Sequence, residues 1–176
     1  MEAAIILEPA IRIINRLQRE RIIERYAIGG AFGVVFYSEP ILTYDLDVFL
    51  LLDSSPGRLI SLSPIYERLR ELGYKEKHEH ILIEGIPVQF LPAFNLLLTE
   101  AVLKAREVKV GKTSTNVFRP EHLAAIMIQT GRPKDRERLL LLREQAGLDR
   151  RMLRRILIRH GLWEKWERFV ARIPGS

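Results

Sequence analysis

The stretch Thr43-Tyr44-Asp45-Leu46-Asp47-Val48-Phe49-Leu50-Leu51 sets two aspartates, two residues apart, at the head of an apolar run. Its leucine, β-branched and aromatic content suits a central strand covered on at least one face. Alternation along such a strand sends Asp45 and Asp47 to one side and Leu46, Val48 and Leu50 to the other. Two carboxylates side by side in apolar surroundings repel each other and lose hydration, a cost that a divalent cation between them relieves. Hard oxygen donors of this kind suit Mg2+ or Mn2+, which characteristically bridge to substrate phosphates. The plainer alternative is a solvated pair on an exposed strand edge. Asp is depleted from strand interiors, however, so two in so apolar a run call for a reason.

Upstream, Tyr26-Ala27-Ile28 runs into Gly29-Gly30, a short strand ending in a flexible turn. Ala31 to Tyr37 reads as a short apolar helix, broken at Ser38-Glu39-Pro40. A strand, a glycine turn and a helix start leave backbone N–H groups free to face an anion. A triphosphate is expected there, with the cation on Asp45 and Asp47 orienting its α-phosphate while a hydroxyl attacks in line.

Outward from this centre, Pro9 to about Arg25 predicts an amphipathic helix through Ile13, Ile14 and Leu17. Ser63-Pro64, followed by Ile65, Leu69 and Leu72 and then Gly73, predicts a capped helix with a glycine stop. His80 to Ile83 and Pro87 to Leu91, joined at Glu84-Gly85, predict a β-hairpin, so a sheet of at least three strands is expected. Asn95 to Arg106 reads as helix, and Val108 to Phe118 as extended chain turning at Gly111. From Pro120 onward the pattern is helical, with stops at Gly131, Gly147 and Gly161. Three helices are expected there, followed by an aromatic tail of Trp163, Trp166, Phe169, Val170 and Ile173 in ordinary core packing. The expected class is α+β: residues 1–118 as a sheet-containing unit and 119–176 as a helical region packed on it.

The bulk numbers narrow the function classes. With 176 residues, 47% of them apolar and 28% charged, the chain can bury one full core. There is no cysteine, which removes disulfides, thiolate zinc sites and cysteine nucleophiles. Neither a signal peptide nor a membrane-spanning run is legible, so a cytoplasmic protein with no membrane association is expected. The net charge of +6 collects in the last third, among Arg132, Lys134, Arg136, Arg138, Arg143, Arg150, Arg151, Arg154, Arg155 and Arg159. That is either a phosphate-backbone footprint or a solvated face of local ion pairs with Asp135, Glu137, Glu144 and Asp149. Gly111-Lys112-Thr113 is no P-loop, since the upstream glycine would fall at Arg106. His78 and His80 alternate like ligands but lack a third, and are expected as exposed hairpin residues; His122 and His160 lie in helices. No Gly-x-Ser-x-Gly motif is present.

Ile28-Gly29-Gly30-Ala31-Phe32 together with Thr43 to Phe49 resembles the signature of the nucleotidyltransferase superfamily with a polymerase-β-like palm: a glycine turn, a short helix and an Asp-x-Asp strand. Thr130-Gly131-Arg132-Pro133-Lys134-Asp135-Arg136 is similar to the Lys-Asp motif after the palm in the AbiEii-like branch, the toxins of type IV toxin–antitoxin systems. The resemblance implies a small mixed sheet flanked by helices, followed by a C-terminal helical region. It implies catalysis and metal binding by Asp45 and Asp47, nucleotide contacts from Gly29, Gly30 and Thr43, and a nucleotide pocket bordered by Lys134 and Asp135. For the last two, a helix-start cap and a local ion pair are the alternative. The implied reaction is transfer of a nucleotidyl group from an NTP to a hydroxyl on RNA, protein or a small molecule, with an antitoxin-like partner. Two positions depart from the pattern. Gln89 stands where active members carry a third carboxylate; its amide oxygen can coordinate a metal weakly, but it cannot act as a carboxylate base. Met127 stands where related sequences often place a lysine, and offers packing instead. These departures define the alternative expectation, a catalytically degenerate module that binds RNA or a protein partner through its basic helices.

Overall fold

The computed structural model describes residues 2–38, 43, 45–51 and 61–172, with side chains from residue 6 onward. Among them, seven strands form one mixed sheet: β1 (Arg25–Ile28), β2 (Leu46–Leu51), β3 (Lys75–Lys77), β4 (His80–Ile83), β5 (Ile86–Pro92), β6 (Arg106–Val110) and β7 (Thr113–Val117), in the order β3-β4-β5-β2-β1-β7-β6. At its centre β2 runs antiparallel to β1 and parallel to β5. The expected hairpin forms, turning through Glu84 (φ 50) and Gly85 (φ 83), both in the left-handed region that a two-residue turn of this type requires. Strand β3 was not legible: Lys75-Glu76-Lys77 is charged and exposed, an edge strand held only by its pairing to β4. The turn between them puts His78 at φ 59.

Helices α1 (Glu2–Arg19) and α3 (Ser63–Glu71) cover one face of the sheet. Leu7, Ala10, Ile11, Ile14 and Leu17 of α1 are buried there with Ile65 and Leu69 of α3 and with Leu46, Val48 and Leu50 of β2. Helix α1 therefore starts before Pro9 rather than at it: the continuous apolar stripe carries the helix through the proline. It stops six residues earlier than expected because Arg21 turns left-handed (φ 60) and Ile22 N–H bonds back to Leu17 O at 3.0 Å. The turn at Gly111 fastens this helix, since Lys112 N–H and the Thr113 hydroxyl both donate to Glu8 Oε1, at 3.1 and 3.0 Å.

The other face is covered by α2 (Gly30–Val35), α4 (Leu96–Leu103) and α5 (Pro120–Thr130), with α6 (Pro133–Gln145), α7 (Arg150–Arg159) and α8 (Trp163–Val170) packed beyond. Here four helices replace the expected three and a tail. Trp163, Trp166 and Phe169 belong to α8 and are only partly buried against the cluster, so they roof the core rather than fill it; Ile173 lies outside the described residues. Helix α4 is shorter than expected, capped by Asn95 Oδ1 accepting from Leu98 N–H at 2.9 Å, and Arg106 and Glu107 belong to β6. In α3, Ser63 is the first helical residue rather than the cap. Glu100 of α4 ties in α5 and α7 by accepting from His160 Nε2 (2.8 Å) and Arg159 Nη1 (2.6 Å), with His122 Nε2 at 3.4 Å. Burial alone would raise the Glu100 carboxyl, but these hydrogen bonds outweigh it and hold it down at about 2.

One buried polar bridge links helix to sheet. The Tyr26 hydroxyl donates to Asn15 Oδ1 at 2.6 Å and lies 2.9 Å from Thr115 Oγ1, while Asn15 Nδ2 donates to Ser114 O at 2.8 Å. Burial pushes the Tyr26 phenol up to about 12, so at neutral pH it stays protonated and able to donate. Tyr26→Phe strands both partners and is expected to cost about 1–2 kcal/mol, a fall of roughly 2–8 °C in Tm for a chain of this size. Urea and thermal unfolding of the variant check it; an unchanged midpoint would show that the bridge adds nothing.

Candidate functional site

Everything at the site follows from how β1 ends against β2. The antiparallel register sets Ile28 opposite Val48, and one residue further Gly29 N–H donates to Asp47 O at 3.0 Å. No side chain fits at this crossing. A Cβ on Gly29 would stand 2.6 Å from the Phe49 ring and 2.7 Å from that of Phe118. Gly30 sits at φ 57, and a Cβ there would collide with Asp47 Oδ2. The glycine pair thus lets backbone lie directly against a carboxylate, and the chain turns into α2, where Gly33 N–H bonds to Gly29 O at 2.8 Å.

On the next strand over, the parallel register pairs Asp47 with Gln89. Leu46, Val48, Leu50, Val88 and Phe90 face the buried α1 side, so Asp47 and Gln89 share the opposite face. That face opens into a cavity of about 890 Å³. Asp45 and Asp47 both line it, as do Gly30, Gln89, Lys134 and Asp135. Asp45 stands just before β2 rather than within the expected strand, and its side chain is 42% exposed. Gly29 lies behind the cavity wall, Thr43 is half-buried and does not line it, and Tyr44 and the break expected at Ser38-Glu39-Pro40 fall, but for Ser38, outside the described residues. Met127 is buried and lines the cavity as an apolar wall.

Facing the acidic sheet wall are three cations, Arg132, Lys134 and Arg138, from the junction of α5 and α6. Gly131 (φ 65) closes α5, and Asp135 then anchors the next helix by accepting from the Thr130 hydroxyl at 2.6 Å, with Arg138 Nη1 at 3.6 Å. Asp135 is itself buried, a positioning group for this cationic corner, whereas Lys134 is exposed at its rim. Phe49 and Phe118, with rings 5.0 Å apart, line the inner end, and Phe94, 81% exposed, stands at the mouth. Of these, Arg138 was visible in the sequence only as one among many basic residues and Arg132 only as a member of the Thr130–Arg136 segment, because nothing in periodicity separates a cavity-facing arginine from a solvated one.

Burial, and then repulsion from Asp45, push the Asp47 carboxyl up to about 6, against the opposing pull of Arg138, His80 and Arg132. His80 is not the free hairpin residue expected: its Nε2 is buried, lacks a hydrogen-bond partner and lies 3.5 Å from Asp45 Oδ2. Among the described residues no group of three or more His, Asp or Glu side chains gathers at ligating range. The oxygen donors at hand are two carboxylates and, beside them, the Gln89 amide. That set fits a hard divalent cation that keeps its remaining positions for water and phosphate, and the raised Asp47 carboxyl marks where positive charge is wanted.

No protein-family model matches this sequence, and no curated protein matches it. Solved structures do. An antigenic nucleotidyltransferase-like protein from Paracoccidioides brasiliensis aligns over 88% of this chain and 86% of its own, with a TM-score of 0.58 at 12% identity. The antibiotic-resistance factor ANT(2'')-Ia, in solution, aligns over 93% of this chain and 98% of its own, with a TM-score of 0.51 at 12% identity. The crystal structure of ANT(2'')-Ia in complex with adenylyl-2''-tobramycin aligns over 89% and 98%, with a TM-score of 0.53 at 13% identity. At such identities the likeness is one of fold, and the fold is one this chain shares with the nucleotidyltransferase-like protein and with ANT(2'')-Ia: a mixed sheet flanked by helices, spanning nearly the whole of both chains.

Proposed function

We propose that this chain binds a nucleoside triphosphate with a divalent cation in the 890 Å³ cavity and transfers a nucleotidyl group to an acceptor hydroxyl. The observation that carries this reading is the division of charge across one cavity: Asp45 and Asp47 on the sheet, Arg132, Lys134 and Arg138 on the helices opposite. A cavity of this volume suits a nucleotide. Asp45 and Asp47, with the Gln89 oxygen as a weaker donor, would hold Mg2+ or Mn2+, which supplies neutralisation of charge at the α-phosphate. Arg132, Lys134 and Arg138 take the outer phosphates, and Gly29 and Gly30 form the turn that holds the backbone against Asp47 beside them. The acceptor hydroxyl attacks phosphorus and pyrophosphate leaves along the cationic wall. Since Gln89 cannot accept a proton, the hydroxyl proton passes to water at the open side beside Asp45.

Within the superfamily we place the chain nearest the AbiEii-like branch, on Thr130 to Arg136, with residues 1–118 as the palm and 119–176 as the helical region. RNA, a protein or a small molecule supplies the hydroxyl, and an antitoxin-like protein is the expected partner. The neighbour that holds adenylyl-2''-tobramycin supports a small-molecule hydroxyl as one member of that set. No helix among the described residues is long and apolar enough to cross a membrane, which is consistent with the cytoplasmic site we propose.

A second reading, a catalytically degenerate module that binds RNA or a protein, is favoured by Gln89 and by a second pocket of about 250 Å³. There Arg136, Lys165, Arg168 and Arg172 surround an apolar floor that includes Leu139 and Phe169, and none of the four cations forms a side-chain ion pair among the described residues.

Thermal unfolding with each of the four NTPs separates the two readings. At a hundredfold excess over Kd, binding stabilises by about 2.7 kcal/mol, a rise of about 5–10 °C. The rise is expected with Mg2+ or Mn2+ and is expected to vanish with EDTA or in the Asp45→Asn, Asp47→Asn double variant. No rise with any NTP would contradict the transferase reading and favour the binding module.

The Asp47 carboxyl gives a second expectation, for metal-free protein. Its folded pKa lies above the unfolded one, so the native state holds the extra proton and the associated stability is complete below about pH 4 and lost as pH rises through about 6. The loss is on the order of 2 kcal/mol. Asp47→Asn removes it, so the stability of the variant relative to wild type, measured by urea unfolding in EDTA, is expected to grow between pH 4 and pH 7. A constant difference would show that Asp47 is not desolvated.

A further inference from the structure

The Asp47–Gln89 row continues one strand further. The β4–β5 pairing runs Ile81 with Val88 and Leu82 with Pro87, so the next step sets His80 opposite Gln89. Asp47, Gln89 and His80 therefore lie side by side across β2, β5 and β4, all on the cavity side, while Ile81 and Val88 point into the buried cluster behind. His80 is more than a neighbour in the row. Its Nε2 is buried and has no hydrogen-bond partner, and Asp45 Oδ2 lies 3.5 Å away. An imidazole nitrogen shut off from water without a partner is a cost that a fold does not keep for packing alone. Its side chain is 28% exposed overall, and it is absent from the cavity lining, so it faces the carboxylate rather than the substrate space.

We propose that His80 is a positioning residue for Asp45: with a cation held, its Nε2–H would close the 3.5 Å gap to donate to Oδ2 and leave the other carboxylate oxygen to ligate. The inference rests on the metal site proposed above and adds a device to it. Ordinarily a ligating carboxylate is held by hydrogen bonds from groups behind it, and loss of such a group lowers metal affinity about 10- to 100-fold. Here the need is greater than usual. Gln89 supplies no charge to share the ion, so the ion's charge is met by Asp45 and Asp47 alone, and Asp45 stands before its strand, where no ladder pairing fixes it. Asp47 is fixed by the Gly29 bond and by Gly30; His80 does for Asp45 what the glycine turn does for Asp47.

The test is Mn2+ binding at pH 8, by calorimetry and by the loss of the free-ion electron paramagnetic resonance signal, for wild type, His80→Ala and His80→Gln, each with its metal-free Tm. His80→Ala is expected to bind Mn2+ 10- to 100-fold more weakly with a metal-free Tm near that of wild type. His80→Gln keeps an N–H close to the Nε2 position and is expected to recover affinity to within about threefold of wild type. Should His80→Ala bind like wild type, the positioning role is overturned while the metal site stands. If His80→Gln is as weak as His80→Ala with its fold intact, the imidazole is acting as something other than a donor, and the proposal is likewise overturned. Absence of Mn2+ binding by wild type would overturn the metal site itself, and this proposal with it.

Discussion

One backbone hydrogen bond, from Gly29 N–H to Asp47 O at 3.0 Å, fixes the geometry on which the rest of the site depends. It ends β1 against the middle of the acidic segment and brings Gly30 onto the Asp47 side chain so closely that only hydrogen fits at its Cα. Asp47 is thereby held in place and shielded from water on one flank. Its carboxyl rises to about 6 because a buried, crowded anion is costly, and Asp45 beside it adds to that cost. A site that makes its own carboxylate uncomfortable is one that rewards a cation, and the three basic side chains across the cavity do the same for an anion.

The two apolar clusters give this site its stiffness. Behind the sheet, α1 and α3 bury Leu46, Val48 and Leu50 and leave β2 no freedom to shift register. A slip of one residue would turn Asp47 into that core, so the hydrophobic pattern specifies the position of the carboxylates as firmly as it specifies the fold. In front, the second cluster seats α5 against α2 and α4, and the Thr130–Asp135 hydrogen bond then sets where α6 begins. Arg132, Lys134 and Arg138 reach the cavity only because that corner is anchored. Asp135, which in sequence resembles a pocket residue, contributes in the structure by its grip on Thr130 and Arg138.

Much of this was legible in the residues, and the parts that were not share a cause. Periodicity and glycine placement located β1, α2, the β4–β5 hairpin and the helical last third, since each is dictated by local preference. Gln89 was brought to the aspartates by the resemblance to the family signature, and the β2–β5 register pairs it with Asp47. Lys134 and Asp135 come to the same cavity as the aspartates, some ninety residues earlier. What escaped depends on tertiary pairing: β3 has no apolar signal because it is an exposed edge, α1 passes through Pro9 because its buried stripe outweighs one lost hydrogen bond, and α8 is a helix rather than a tail. The same holds for Arg132, Arg138 and His80, whose importance lies in what they face. A histidine near a hairpin turn is most simply read as exposed; only the sheet order puts its nitrogen against Asp45.

The central claim is that Asp45 and Asp47 share a cation that carries a triphosphate toward Arg132, Lys134 and Arg138. Crystals grown with Mn2+ and a non-hydrolysable NTP analogue, measured for anomalous scattering, test it most directly. A manganese peak between the two carboxylates, with the triphosphate extending to the α5–α6 corner, is the predicted result. Crystals of well-ordered protein with no peak between Asp45 and Asp47, or with nucleotide bound elsewhere, would contradict it.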